Sequence, residues 1–339
     1  MLTESDNRAD VREFLRRQGL LEAGAKVTLT PLTGGVSSDL WKADLPARTV
    51  CVKGALAQLK VARDWHAPVS RNQVEYEWLQ FAAEVCPGQI PRVLAHDRNA
   101  GLFAMEYLPP EHYPVWKAQL LAGHVDVAAA RLVGDLVGRL HSASAADPDN
   151  RRRFATDDNF DVLRIEPFLR ATAAAHPDLR EQFVAVAART AGTHLAVVHG
   201  DVSPKNILLG PGGPVLLDAE CAWFGDPAFD IAFCLAHLLI KAIKLPEHAN
   251  ELRQAARELV NSHTHYIDWE PKDAFGERVR ALMPALALAR VDGTSPVEYL
   301  DPGQRQQLRT IARALLRTPA RTVGEMLGTW TAGNSNGTV

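Results

Sequence analysis

A chain of 339 residues with 47% hydrophobic and 23% charged side chains can bury a sizeable core, and its length corresponds to about two domains or lobes. Its 37 basic and 40 acidic residues leave a net charge of -3, no whole-molecule reason to bind nucleic acid or an anionic membrane. Four cysteines without C-x-x-C spacing, a polar opening MLTESDNRAD and no apolar run long enough to span a bilayer indicate a cytoplasmic chain with reduced thiols.

The first ten residues read as a frayed polar end, followed by a helix over 11–21 with Val11, Phe14 and Leu15 at helical spacing. From Val27 the texture becomes β-like. Strands are predicted over 27–32, 39–43 and 49–53, a helix over 73–83, then strands over 92–96 and 102–108. Pro109-Pro110 breaks the pattern as a hinge would. Beyond it the chain is mainly helical. Residues 131–141 place Leu132, Val133, Leu136, Val137 and Leu140 on one face, as in a core helix, and 147–153 reads as a polar loop. A helix over 183–195 precedes three short β-prone runs, 196–198, 207–209 and 215–217. Helices return from Phe229, and 331–339 reads as a flexible tail.

The chemistry concentrates in VVHGDVSPKNILLGPGGPVLLDAECAWFGDPAFD, residues 197–230. Two β-prone runs enclose a polar loop offering His199, Asp201, Lys205 and Asn206. Twelve residues after Asn206, Asp218 ends an apolar run, where a carboxylate is costly unless it meets a cation or a solvated cleft. Two carboxylates and an amide joined by a hairpin suit Mg²⁺, a hard ion that takes oxygen ligands and completes its shell with water and phosphates.

H-x-D-x-x-x-x-N followed by a strand-ending Asp resembles the catalytic loop and metal-binding Asp of protein-kinase-like folds. Gly200, Asp-Ala-Glu at 218–220 and GDPAFDIA at 225–232 resemble the aminoglycoside phosphotransferase superfamily, which includes choline and methylthioribose kinases. The resemblance spans roughly 27–300, with its specific motifs in a few dozen residues. It implies an α+β, protein-kinase-like two-lobed fold: a small β-rich N-lobe over 1–108 and a larger, mainly helical C-lobe over 109–330. It also implies a phosphotransferase that uses ATP or GTP with Mg²⁺ on a hydroxyl of a small metabolite or antibiotic, acting as a monomer or homodimer. On that resemblance Asp201 takes the acceptor proton, Asn206 and Asp218 ligate the metal, and Glu220 touches it directly or through water. His199 would scaffold the loop, and Asp230 would pin its backbone from a helix start. Protein kinases place a lysine two residues after the catalytic Asp, where this chain has Ser203; its Lys205 lies four after, which argues against a protein substrate.

The same resemblance assigns Lys53, at the end of the apolar strand VCVK, to the nucleotide phosphates. Its partner is a glutamate of the following helix, Glu75 or Glu77, with Glu75 favoured. Gly35 and Ser37, in TGGVSS between the first two strands, would cover the phosphates, and the main chain of Glu106 and Leu108 would meet the purine edge. Trp223, Arg290 and Asp292 are candidates for the acceptor, the arginine suiting an anionic or polyol group. Trp65, Trp78 and Trp116 read as packing residues, and His263-Thr264-His265 as exposed histidines without metal-ligand spacing. The alternative class is a nucleotide-binding pseudokinase or regulatory module without turnover. Its mark is loss of the catalytic Asp, a metal ligand or the strand lysine, and all three are present.

Overall fold

The structure, a computed structural model, describes residues 4–32, 38–56 and 68–330. Gly35, Ser37, Trp65 and the expected tail 331–339 lie outside the described residues. The chain divides into two compact units, Met1–Pro110 and Glu111–Val339.

The first unit opens with α1 (Glu4–Arg17), so the helix extends through residues expected to fray. The reason is packing: Val11, Phe14 and Leu15 are buried with Trp41, Val50 and Val52 of the sheet, which anchors the polar turn that precedes them. The sheet comprises β1 (Thr28–Pro31), β2 (Ser38–Asp44) and β3 (Thr49–Ala55). Helix α2 (Arg71–Val85) leads to β4 (Val93–Asp97) and β5 (Leu102–Glu106). All pairs are antiparallel, in the order β1-β2-β3-β5-β4. The central strand β3 is buried from Val50 to Lys53, which accounts for its unbroken apolar run.

The second unit is helical around two small hairpin-like sheets. It begins with α3 (Trp116–Leu121) and α4 (Val127–Ala145), the latter capped by the Asp126 carboxylate, which accepts from Ala128 N at 2.8 Å. The expected polar loop at 147–153 instead contains α5 (Asp149–Arg153). Its acidic first residue and three terminal arginines complement the helix dipole. Next come α6 (Asp157–Phe160), a π-helix over Asp161–Arg170 that sequence periodicity did not reveal, α7 (Ala171–Ala175) and α8 (Arg180–Ala191). The short strands are β6 (Ala196–Val198), β7 (Ile207–Gly210), β8 (Gly213–Leu216) and β9 (Trp223–Gly225). They pair antiparallel as β6 with β9 and β7 with β8.

Helices α9 (Ala228–Lys244), α10 (Ala249–Thr264), α11 (Lys272–Asp292), α12 (Pro302–Arg317) and α13 (Val323–Thr329) complete the unit. Every residue of α9 from Ala228 to Ile243 is buried, so the longest apolar run of the sequence is the axis of the core. Each of its large side chains contributes roughly 1.5–3 kcal/mol by burial. Helix α4 packs on α10 through Gly134 and Gly138; a Cβ on Gly134 would lie 2.2 Å from Leu259 O, so only glycine permits this approach. Among the described residues no helix is long and apolar enough to cross a membrane.

Candidate active site

The polar loop runs from the end of β6 to the start of β7, and its backbone is held from below by one carboxylate. Asp230, in the first turn of α9, accepts from His199 N and Gly200 N, both at 2.8 Å. Asp230 is itself fully buried and accepts from His141 Nε2 at 3.1 Å. His141 Nδ1 then meets His263 Nε2 at 2.9 Å. His263, expected to be exposed, is buried and stacked on Phe275; its apolar setting holds it neutral by pushing its pKa well down. Gly200 has φ +77, and a Cβ there would lie 2.7 Å from Cys221 O, so the turn demands glycine.

His199 faces inward and is a scaffold by its bonds. Asp201 N donates to its Nδ1 at 3.1 Å, which leaves the proton on Nε2 to bond Leu217 O at 3.1 Å. Burial lowers its pKa, against the pull of Asp230 and Asp201, so the ring stays neutral.

Asp201 is 4% exposed and meets two cations. Arg164 Nη2 lies 2.9 Å and Lys205 Nζ 3.0 Å from Oδ2. Burial alone would raise this carboxyl, but Lys205 and Arg164 outweigh it and hold Asp201 below the usual carboxylate range. Arg164 comes from the π-helix, its Nε also donating to Gly200 O and its Nη1 to Leu163 O. Sequence reasoning missed it. No motif marks it, and π-helical turns, here with Pro167 inside, often occur at functional sites.

The hairpin β7–β8 brings the oxygen donors together. Leu217 N donates to Asn206 O at 2.9 Å, which sets Asn206 opposite the residue preceding Asp218. Asn206 Nδ2 donates to Asp201 O at 3.1 Å. Asp218 has φ +69, the sole described non-glycine residue in the left-handed region, a strain characteristic of functional positions. Its charge is felt by Asp201, Lys205 and Arg164. Glu220 is buried, and its carboxylate bears on Arg164. No group of three or more His, Cys, Asp or Glu among the described residues could hold a metal by itself. A carboxamide and a carboxylate, without nitrogen or sulfur donors, nonetheless fit Mg²⁺, which needs one or two protein oxygens when phosphates supply the rest. Eight residues after Asp218, Asp226 accepts from Ala228 N and Arg278 Nε at 2.9 Å each, so both carboxylates of GDPAFD are structural anchors.

In the first unit Lys53 and Glu75 form a two-pronged buried pair, Nζ 2.8 Å from Oε1 and 2.7 Å from Oε2. Glu77 instead accepts from Gln73 Nε2 at 2.8 Å. Ser38, the first residue of β2 and opposite Ala55, is 6% exposed, with an Oγ that has no partner among the described residues. Such a hydroxyl is a donor in want of an acceptor. Glu106 ends β5, its side chain accepting from Arg92 N at 3.1 Å, and Leu108 follows in partly exposed chain.

The three acceptor candidates fare differently. Trp223 is 1% exposed and stacked on Phe160 at 4.2 Å, so its ring is committed to the core. Asp292 is bound by Arg309 at 2.8 Å and His176 at 2.9 Å, which occupies its carboxylate. Arg290 lies over Phe168 at 5.7 Å, and the charge of Asp201 bears on it. A cleft lined by Leu169, Arg170, Phe183, Val184 and Ala187 contains none of the residues above.

Comparison with known proteins bears on the fold and the family. A methylthioribose kinase of Yersinia pseudotuberculosis is 25% identical over 284 residues, 73% of this chain and 68% of that protein. A choline/ethanolamine kinase family protein from Mesorhizobium loti superposes with a TM-score of 0.54 at 17% identity, covering 96% of this chain and 98% of that one. The amicoumacin kinase hAmiN, solved with AMP-PNP and Ca²⁺, superposes with a TM-score of 0.58 at 12% identity, covering 96% and 99%. The fold is therefore kinase-like. The profile of the phosphotransferase enzyme family matches residues 28–255, well over half the chain, and the chain belongs to that family.

Proposed function

We infer that this protein is a small-molecule kinase that transfers the γ-phosphoryl group of ATP or GTP to a hydroxyl of a small acceptor, with Mg²⁺. The observation that carries the reading is the Asp201 cluster: a buried carboxylate kept ionised by Arg164 and Lys205, on a loop pinned by Asp230. An ionised carboxylate so placed can accept the acceptor's proton while the hydroxyl oxygen bonds to the γ-phosphorus and the bond to the β-phosphate oxygen breaks. Asn206 and Asp218, with Glu220 directly or through water, would hold Mg²⁺, which when bound neutralises charge on the phosphate oxygens. Lys53, oriented by Glu75, would pair with the nucleotide phosphates, and Ser38 Oγ, which has no partner among the described residues, would donate to them. The main chain at Glu106 and Leu108 would take the purine edge. The kinases named among the relatives support an acceptor of small-molecule size.

The test is incubation with γ-labelled ATP, Mg²⁺ and pooled metabolites and antibiotics, with mass identification of the labelled product. Asp201→Asn should still fold, at a lower melting temperature because Arg164 loses its buried carboxylate partner, and should lose transfer by about 10²–10⁴-fold, the usual contribution of a general base. Undiminished transfer in that variant would remove Asp201 from the chemistry.

A further inference from the structure

We propose that the acceptor subsite of this enzyme recognises an anionic group, so that the molecule phosphorylated carries a carboxylate or phosphate ester beside its reacting hydroxyl. The inference deepens the kinase reading and rests on it for the chemistry, though not for the binding. It starts from two cations in the helical unit, Lys241 of α9 and Arg290 of α11. Lys241 is 1% exposed, and its Nζ has one hydrogen bond, a 3.3 Å contact to His237 O one helical turn back. Arg290 donates from Nη1 to Ser295 Oγ at 3.1 Å. Neither has a carboxylate partner among the described residues.

The surroundings repeat the same deficit. Arg290 Nε, His237 Nε2 and Tyr299 Oη are all shielded from solvent with no partner among the described residues. Tyr299 lies beneath two ammonium groups, Lys241 at 5.5 Å and Lys117 at 5.6 Å from its ring centre. Of the carboxylates that act on them, Glu298 is taken by Lys117 at 2.6 Å, and Asp201, whose charge bears on Arg290, is taken by Arg164 at 2.9 Å and Lys205 at 3.0 Å. Burying an unpaired cation beside unsatisfied donors is strongly unfavourable, and natural cores avoid it unless a ligand completes the site. Burial, followed by the charges of Lys117 and Arg290, already lowers the Lys241 amine to about 7. An anion arriving there would relieve both penalties at once.

The site also lies where an acceptor must be. Phe168 carries Arg290 at 5.7 Å and Arg164 at 5.6 Å, and Arg164 holds Asp201. One ring thus joins the proposed anion site to the proposed base. Cationic acceptors such as choline or polyamino sugars would be repelled by this set, and a neutral polyol would leave its charges unanswered.

Calorimetric titration of the full chain, with AMP-PNP and Mg²⁺ filling the nucleotide site, tests the proposal. The probes are glycerate, glycerol 3-phosphate, glycerol and choline. One or both anions should bind at millimolar concentration, glycerate alone indicating a carboxylate site and glycerol 3-phosphate alone a phosphate site. Lys241→Met and Arg290→Gln should each weaken that binding by about tenfold or more, the scale expected when one partner of a desolvated charge pair is removed. In turnover they should raise the acceptor KM far more than the nucleotide KM. Binding of glycerol or choline as tight as that of the anions, absence of anion binding, or anion binding indifferent to both substitutions would overturn the proposal. Anion binding without label transfer to any acceptor would count against the kinase reading alone; transfer to neutral acceptors alone would count against the anion site.

Discussion

At the residue scale, the buried pair Lys53–Glu75 separates stability from chemistry. Removing one partner strands a charge, so Lys53→Met should destabilise the protein by about 3–5 kcal/mol, read as a lower urea midpoint. The double variant Lys53→Met/Glu75→Leu replaces the pair by apolar groups and should recover most of that loss. It should not recover nucleotide turnover, because the cation for the phosphates is gone. Full turnover in the double variant would make the pair purely structural. The placement of Lys53 on an apolar strand was legible from the sequence, although β3 runs two residues past it to Ala55 and does not end there; the choice of Glu75 over Glu77 was not decidable from periodicity. Residues two apart on a helix point about 200° apart, and only the docking of α2 on β3 says which faces the sheet.

At the scale of elements, the loop between β6 and β7 was legible as a motif because its polar residues sit between apolar runs with fixed spacing. What holds it was legible in part. Asp230 announced itself in GDPAFD, whereas Arg164 lies in a π-helix whose periodicity fits neither helix nor strand, and the His141–His263 pair joins positions 122 residues apart. Arg164 predicts a pH effect. Asp201 is raised by burial and brought below its ordinary range by Lys205 and Arg164. Arg164→Met removes one of the two compensating charges, so the folded-state pKa of Asp201 must rise. Activity that needs the carboxylate ionised should then fail at higher pH than in the parent enzyme, moving the acid limb of the kcat profile upward. An acid limb that stays in place while kcat falls would show that Arg164 shapes the loop without tuning the carboxylate.

At the scale of the whole molecule, a net charge of -3 conceals the cations gathered in the helical unit, because bulk charge averages over faces that never meet. Lys241 comes from the longest apolar run, Arg290 from a helix end where the sequence already marked it as an acceptor candidate, and Tyr299 from the turn after α11, so only the tertiary packing of α9 and α11 makes them neighbours. That packing carries a stability signature. The Lys241 amine, ordinarily near 10.5, titrates at about 7 in the folded chain, owing first to burial and then to Lys117 and Arg290. Cys234 and Glu298 pull the other way, and His237 and Tyr299 also face it. Between those two values the unfolded chain binds more protons than the folded one, so this group makes stability rise with pH across the interval. Lys241→Met removes the buried amine and should therefore stabilise the protein near pH 6.5 by on the order of 2 kcal/mol, with the gain shrinking toward pH 10. The same variant should bind anionic acceptor worse. A residue that lowers stability while serving binding is expected at a functional site; a variant less stable than the parent at both pH values would instead make Lys241 an ordinary structural contact. Chemical denaturation of the two proteins at the two pH values decides between these outcomes.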